Sequence, residues 1–375
     1  MADVHAARRS ALAAHLAARD LPAALITNLV NVRYLTGLDS SSAAVLVRAD
    51  RASTLATDGR YATMAEQVCP DVPLLNTRNG PADLLRVARS EGRTRVGFEE
   101  YDLTVAVRDA ASDAAPGVAL VRLGRPVERQ RMVKDAEELD HLRRACAITD
   151  AAFAAVLPTI RPGLTEREVA RALETQMTEL GADGLAFASI VAAGENAAIG
   201  HHHPSDRPLA SGELVVMDFG ARYAGYHADM TRTIAVGTPA DWQREWYDLT
   251  ARAQRAGREA AVPGVRATDV DAAARQVIID AGRGGDMVGG VGHGVGLEVH
   301  EDPAVSPIRP GEDPDMYARR AATLQCGVPI TVEPGVYVPG RGGVRIEDTI
   351  VVTDGEPELL TKTTKDLLVC AAGQG

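Results

Sequence analysis

After about residue 130 one structural plan occurs twice, and this repetition limits what the chain can fold into more than any other feature. In the first copy a helical pattern runs to Pro162-Gly163, Thr165-Glu-Arg-Glu168 supplies a capping box for a second helix, and Gly181 ends it. In the second copy a helix runs to Pro263-Gly264, Thr268 with Asp271 opens the next one, and that helix stops near Gly282. Each helical pair is followed by a strand carrying an apolar residue, an acid, a variable residue and glycine: Met217-Asp218-Phe219-Gly220 and Val332-Glu333-Pro334-Gly335. Each then returns as a second acid-bearing strand, Asp229-Met-Thr-Arg-Thr-Ile234 and Glu347-Asp-Thr-Ile350. Two helix pairs and two hairpins in one order predict an α+β domain with an approximate internal twofold.

The hairpins carry the chemistry. Leu214 to Phe219 and Tyr226 to Val236 read as arms around a turn near Arg222 to Gly225, which puts Asp218 and Asp229 at equal distances from the turn. Ile330 to Val338 and Val344 to Val352 read as a second pair of arms closed by Pro339-Gly-Arg-Gly-Gly343, with Glu333 and Glu347 symmetric about it. Directly opposed residues have Cβ atoms about 4.5–5.5 Å apart. Two carboxylates that close repel each other unless a cation lies between them. Two such pairs joined by a twofold give four carboxylates, enough for two divalent ions about 3.5–4 Å apart with a bridging water. An isolated acid in a strand is more often exposed on a solvated face, but symmetric placement of four on otherwise apolar strands is poorly explained that way.

Six of the nine histidines fall between His201 and His300. His293 lies in Gly289-Gly-Val-Gly-His-Gly-Val-Gly296, where glycine allows the close backbone approach of an irregular ligand loop, and it is read as a metal ligand. His300, ahead of Glu301-Asp302-Pro303, and one of His201-His-His203, ahead of Pro204, suit donation to a substrate carbonyl or oxyanion. Arg345, two residues before Glu347 and nominally on its face, is a candidate partner for the ligands. His202, His203 and His227 are left outside the site.

The first part mixes helical periods (Ala6 to Arg19, Pro81 to Glu91) with short strand-like runs (Ala23 to Ile26, Ala43 to Val47, Arg95 to Phe98), the pattern of an α/β domain. A charged run without an apolar stripe, Glu128 to Glu138, separates it from the repeat, so the expected domains are 1–130 and 131–375. A formal charge of −11 argues against a nucleic-acid partner. No apolar run approaches the roughly 20 residues of a bilayer span, and the amino terminus lacks a secretory pattern, so cytoplasm is expected. Cys69, Cys146, Cys326 and Cys370 are spaced for neither a metal knuckle nor a redox pair and read as reduced structural thiols.

These residues resemble the aminopeptidase P, prolidase and creatinase family, whose catalytic fold is called pita-bread. The resemblance rests on Asn31-Val-Arg-Tyr-Leu-Thr-Gly37 and Thr57-Asp-Gly-Arg-Tyr61 in the first part. In the second it rests on Met217-Asp-Phe-Gly220, Asp229-Met-Thr-Arg-Thr233, Gly292-His-Gly294, Val332-Glu-Pro-Gly335 and Arg345-Ile-Glu-Asp348. It implies an α/β creatinase/prolidase-like amino-terminal domain followed by a pita-bread metallopeptidase domain. Asp229 and Glu347 would bridge two ions, Asp218 complete one, and His293 with Glu333 the other. The stretch Gly194-Glu-Asn-Ala-Ala-Ile-Gly-His201 selects His201 as a substrate-binding histidine, and His300 matches the second. Glu333 would also pass a proton to the leaving nitrogen, which makes His201, His300 and Glu333 the expected catalytic groups. Creatinase departs from this ligand set, so the intact set disfavours a metal-free reaction. The implied activity is removal of a first residue that precedes proline, by an Xaa-Pro aminopeptidase or dipeptidase, with Mn²⁺ expected ahead of Co²⁺ or Zn²⁺ and a homodimer as the assembly. The rival readings are the same fold and metals acting on another amide or a small metabolite, and a catalytically silent binding protein.

Overall fold

The structure is a computed structural model that describes residues 2–370, and the chain divides into two compact units, Met1–Arg131 and Met132–Gly375. In the first unit α1 (Ala2–Ala18) leads into β1 (Ala23–Ile26), followed by α2 (Leu29–Thr36), β2 (Ala43–Arg48), β3 (Ser53–Thr57), α3 (Ala62–Val68), β4 (Leu74–Asn76), α4 (Gly80–Ser90), β5 (Arg95–Phe98), α5 (Val105–Ala114), β6 (Ala119–Arg122) and α6 (Pro126–Met132). The strands form one mixed sheet in the order β4-β3-β2-β1-β5-β6. β1 is central and buried along its whole length, which is why it reads as the unbroken apolar run Ala-Ala-Leu-Ile. Leu25, Leu46, Leu84, Leu85 and Val96 make the core beneath α4 and α5. The Asn31 to Gly37 motif is α2 and its end: Asn28 caps the helix by accepting from the Asn31 amide, and Gly37 closes it at φ 79°.

The charged run does not behave as a linker. Its first part is α6, with Val127 and Met132 buried and Arg131 only 2% exposed. Arg131 Nη1 donates to Asn31 Oδ1, so a long cationic side chain takes the place of the missing apolar stripe.

The second unit begins with the helix pair α7 (Ala136–Val156) and α8 (Glu166–Glu179), then β7 (Gly184–Leu185), β8 (Ile190–Ala193), β9 (Glu213–Phe219), β10 (Ala221–Tyr223), β11 (Tyr226–His227) and β12 (Met230–Val236). The second helix pair is α9 (Asp241–Ala260) and α10 (Ala267–Asp280), followed by β13 (Gly292–Gly294), β14 (Glu301–Val305), α11 (Pro314–Arg320), β15 (Pro329–Val332), β16 (Gly335–Val338), β17 (Gly342–Arg345), β18 (Asp348–Val351), β19 (Glu358–Leu359) and β20 (Val369–Cys370). α7 and α8 pack on the β20-β12-β9-β8 sheet through Phe153, Leu173, Met177, Met217, Phe219 and Ile234. α10 packs on the β14-β13-β15-β18-β19 sheet through Val270, Ala274, Val291, Ile330, Val332 and Ile350. Each of these side chains except Ala274 contributes about 1.5–3 kcal/mol by leaving water. The two halves therefore repeat one plan, helix pair over acid-bearing sheet, and are related by an approximate twofold.

The capping box of Thr165 and Glu168 forms as the sequence predicts. The second copy differs: α10 starts earlier, and Asp269 rather than Asp271 reaches back, to the amide of Arg266. Asp271 instead pairs with Arg275 one turn on. Among the described residues no helix is long and apolar enough to cross a membrane, and the four cysteines are unpaired.

Candidate active site

The first hairpin turns one residue later than symmetry about its acids requires. Ala224 and Gly225 both take positive φ, 50° and 83°, the backbone of a two-residue turn of the mirror-image kind that matches strand twist. The register that follows pairs Asp218 with Thr231 and Arg222 with His227. Asp218 and Asp229 are thus diagonal neighbours on one face rather than the directly opposed pair expected. The second hairpin keeps the expected register. Val332 pairs with Asp348 in one ladder and Gly335 with Arg345 in another, so Glu333 and Glu347 stand opposite each other where the two ladders part. Freed from the ladder, their amides go elsewhere: Glu333 N donates to Val291 O and Glu347 N to Thr231 O. The second of these bonds ties the two hairpins together at their acids.

His293 comes from β13, where the pairing with β14 slips. Its flanking glycines are required sterically, since a Cβ at Gly292 would collide with the Thr331 carbonyl and one at Gly294 with the Asp302 carbonyl. The ring donates from Nδ1 to Gly294 O and carries Nε2 to 3.6 Å from Asp229 Oδ2 and 3.5 Å from Glu333 Oε1. Asp229, His293 and Glu347 each offer a donor atom within 4.8 Å of the others.

Charge at this point is unbalanced. Burial, with Glu347 and Asp218 close by, pushes the Asp229 carboxyl well above its ordinary range. Burial beside Glu333 and Asp218 does the same to Glu347, and burial lifts Glu333 to about 7. Arg345 faces them: it donates from Nη2 to Asp218 Oδ2 at 2.6 Å, from Nη1 to Tyr337 OH and from Nε to Thr231 Oγ1. Asp218 Oδ1 and Glu347 Oε1 are buried with no hydrogen-bond partner among the described residues. A buried acceptor without a donor costs about 1–3 kcal/mol, and more when charged. Two buried carboxylate oxygens without donors, in a cluster of acids where His293 Nε2 lies near Asp229 and Glu333, make a donor set that suits divalent cations.

Two sequence profiles match the chain: Metallopeptidase family M24 over residues 140–354 and the Creatinase/Prolidase N-terminal domain over residues 8–133. The chain belongs to metallopeptidase family M24. A Bacillus subtilis relative described as an uncharacterized peptidase, YqhT, is 37% identical over 348 residues, 92% of this chain and 95% of that one. Among solved structures, an Xaa-Pro dipeptidase from Bacillus anthracis is similar at TM-score 0.90 and 33% identity, covering 98% of this chain and 100% of its own. An X-Pro aminopeptidase from Thermotoga maritima is similar at TM-score 0.85 and 31% identity, covering 96% and 99%. The repeated helix-and-hairpin plan is accordingly the pita-bread domain of the M24 peptidases.

In this M24 domain the acids, His293 and Arg345 line a cavity of about 550 Å³ together with His201, His202, His203 and His300. The His300 ring packs edge-on against His293 with centroids 4.3 Å apart, and burial lowers its pKa. His201 is exposed at the cavity wall. His202 also lines the cavity, but its Nε2 is bound to Glu166 Oε2 at 2.8 Å. His227 is held away from the acids by Gly296 O. Sequence reasoning missed Tyr337 and Thr231, two side chains that the Arg345 guanidinium bonds. Both carry a signal in hindsight: each lies two or four residues from a site acid on an alternating strand, so it shares that acid's face. Phe187, Ile190, Val288 and Val299 supply the apolar wall and had no such signal.

Proposed function

We propose that this chain hydrolyses the peptide bond between a first residue and a following proline, with two divalent cations held by Asp218, Asp229, His293, Glu333 and Glu347. The observation that carries the reading is the pair of buried, partnerless oxygens on Asp218 and Glu347 within a cluster of four acids. Its orientation toward Xaa-Pro substrates is supported by the names of the B. anthracis and T. maritima structures. Divalent cations held by these residues, Mn²⁺ by preference, would neutralise the acids and, when bound, would supply polarisation of the scissile carbonyl and a nucleophilic water at neutral pH. Asp229 and Glu347, the deepest of the four at 4% and 1% exposure, would be the ligands shared by the two cations. Glu333 is the most open of the four, with its side chain 24% exposed, and is assigned the transfer of a proton from its carboxyl to the leaving proline nitrogen. His300 and His201, both lining the cavity, would donate to the substrate carbonyl. Arg345 fixes Asp218 Oδ2 and the Tyr337 hydroxyl, and so holds one ligand in a single orientation. Residues 1–130 form the non-catalytic domain in this reading, 131–375 the catalytic one, and the assembly is a homodimer.

The test is hydrolysis by chelator-stripped protein reloaded with Mn²⁺, Co²⁺ or Zn²⁺. Cleavage of an Xaa-Pro dipeptide or an Xaa-Pro-Xaa tripeptide is expected, with an Xaa-Ala control left intact; which of the two is cut distinguishes dipeptidase from aminopeptidase. Protein with full metal content that cuts neither overturns the assignment.

A further inference from the structure

Glu166 has no place in the metal cluster or in the capping box beside it, yet it is the most completely enclosed acid of its region, with its side chain 0% exposed. It stands at the first position of α8. Oε1 accepts from Ala193 N at 2.8 Å and Asn196 Nδ2 at 2.9 Å. Oε2 accepts from His202 Nε2 at 2.8 Å, Ser205 N at 3.0 Å and Ser205 Oγ at 2.6 Å. The five donors come from both ends of one loop: Ala193 closes β8 and Asn196 lies just after it, while His202 and Ser205 are on the return. The exposed His201 sits between them, where packing does not fix it.

Backbone pairing continues the clamp. Glu166 N donates to Arg207 O and Arg167 N to Ser205 O, so the returning chain is fastened to the start of α8. Burial alone would raise the Glu166 pKa, but the donors from Ser205, Ala193, Asn196 and His202 outweigh it and hold the carboxyl below its usual range. A charged group with both oxygens saturated permits few alternative positions for the loop.

We propose that Glu166 is the positioning residue for His201: it draws His202 and Ser205 inward and thereby sets the histidine next to them at the cavity wall. Of two consecutive histidines, one anchors and the other meets substrate. This rests on the substrate role given to His201 above.

The experiment uses the full Mn²⁺-loaded chain and an Xaa-Pro substrate, with Glu166→Gln and His202→Leu made singly and each combined with His201→Ala. KM is expected to rise in both single variants, by about 10–100-fold for a displacement of about 1 Å, with kcat changed less and metal content at the wild-type level. His202→Gln, which keeps a donor for Glu166, should recover most of the loss. Combined with His201→Ala, neither variant should add to the effect of His201→Ala alone. Losses that multiply with His201→Ala, or an unchanged KM in both single variants, overturn the proposal. An unchanged KM in His201→Ala itself has a different signature: it removes the substrate role of His201 and with it the basis of the proposal. If Glu166→Gln does not fold, His202→Leu with its His202→Gln rescue decides the question alone.

Discussion

Glu347 and Asp348 are neighbours in the chain, both buried, at 1% and 0% exposure, and they solve the problem of a buried charge in opposite ways. Strand geometry turns consecutive side chains to opposite sides. On one side Asp348 meets Arg232 at 2.7 Å, Lys365 at 3.0 Å, Gln254 at 2.9 Å and Thr361 at 3.1 Å. Burial pushes its pKa up, but Arg232 and Lys365 overcome this and hold the carboxyl below its ordinary range. On the other side Glu347 accepts one bond from Thr231 Oγ1 and faces other acids. The chain thus compensates one acid with its own cations and leaves its neighbour uncompensated. A buried carboxylate alone is weak evidence of function; one left without a cationic partner, beside one fully supplied, supports the proposal that a cation from outside binds there.

The largest expected effect of breaking this contrast is on the compensated side. Arg232→Met strips Asp348 of its nearest cation and frees the carbonyls of Thr231, Glu347, Thr363 and Thr364 that Arg232 also serves. Removing one partner of a buried pair costs about 3–5 kcal/mol, read as a lower urea midpoint with or without Mn²⁺. A loss under about 1 kcal/mol, the value of an exposed pair, would mean that Lys365 suffices.

Glu99, in the first unit, sharpens the comparison because it follows a third course. It accepts from the Thr27 and Asn28 amides and from Asn31 Nδ2, without a cation among these donors, and burial lifts its pKa to about 7. The folded protein therefore keeps this proton up to about pH 7, whereas an unfolded glutamate releases it near 4.3. Across that window the folded state binds more protons, so stability falls as pH rises and levels off above about 7, by about 4 kcal/mol in total. Glu99→Gln should remove this slope; a variant with the wild-type pH dependence would assign the slope to other groups.

Legibility in the sequence followed the range of the forces involved. The Thr165 capping box and the strands Ala23–Ile26 and Arg95–Phe98 were read to the residue because local chemistry determines them. The Glu333 and Glu347 register was also legible, since Pro339 to Gly343 leaves little choice of turn. The Asp218 and Asp229 register was not: the positive φ of Ala224 moves the turn by one residue, and alanine gives no sign of it. Glu166 was read only as part of a helix start, because its loop partners lie 27 to 39 positions away. The run from Glu128 showed no apolar stripe because Arg131 is buried through a bond to Asn31, 100 positions back.

The decisive property is whether Asp218 and Glu347 hold a cation. Titration calorimetry of chelator-stripped protein with Mn²⁺, run beside Glu347→Gln, addresses it directly. Two equivalents per wild-type chain are predicted, with binding lost in the variant together with turnover. Wild-type protein that takes up no Mn²⁺, or a Glu347→Gln chain that binds two equivalents as before, would contradict it.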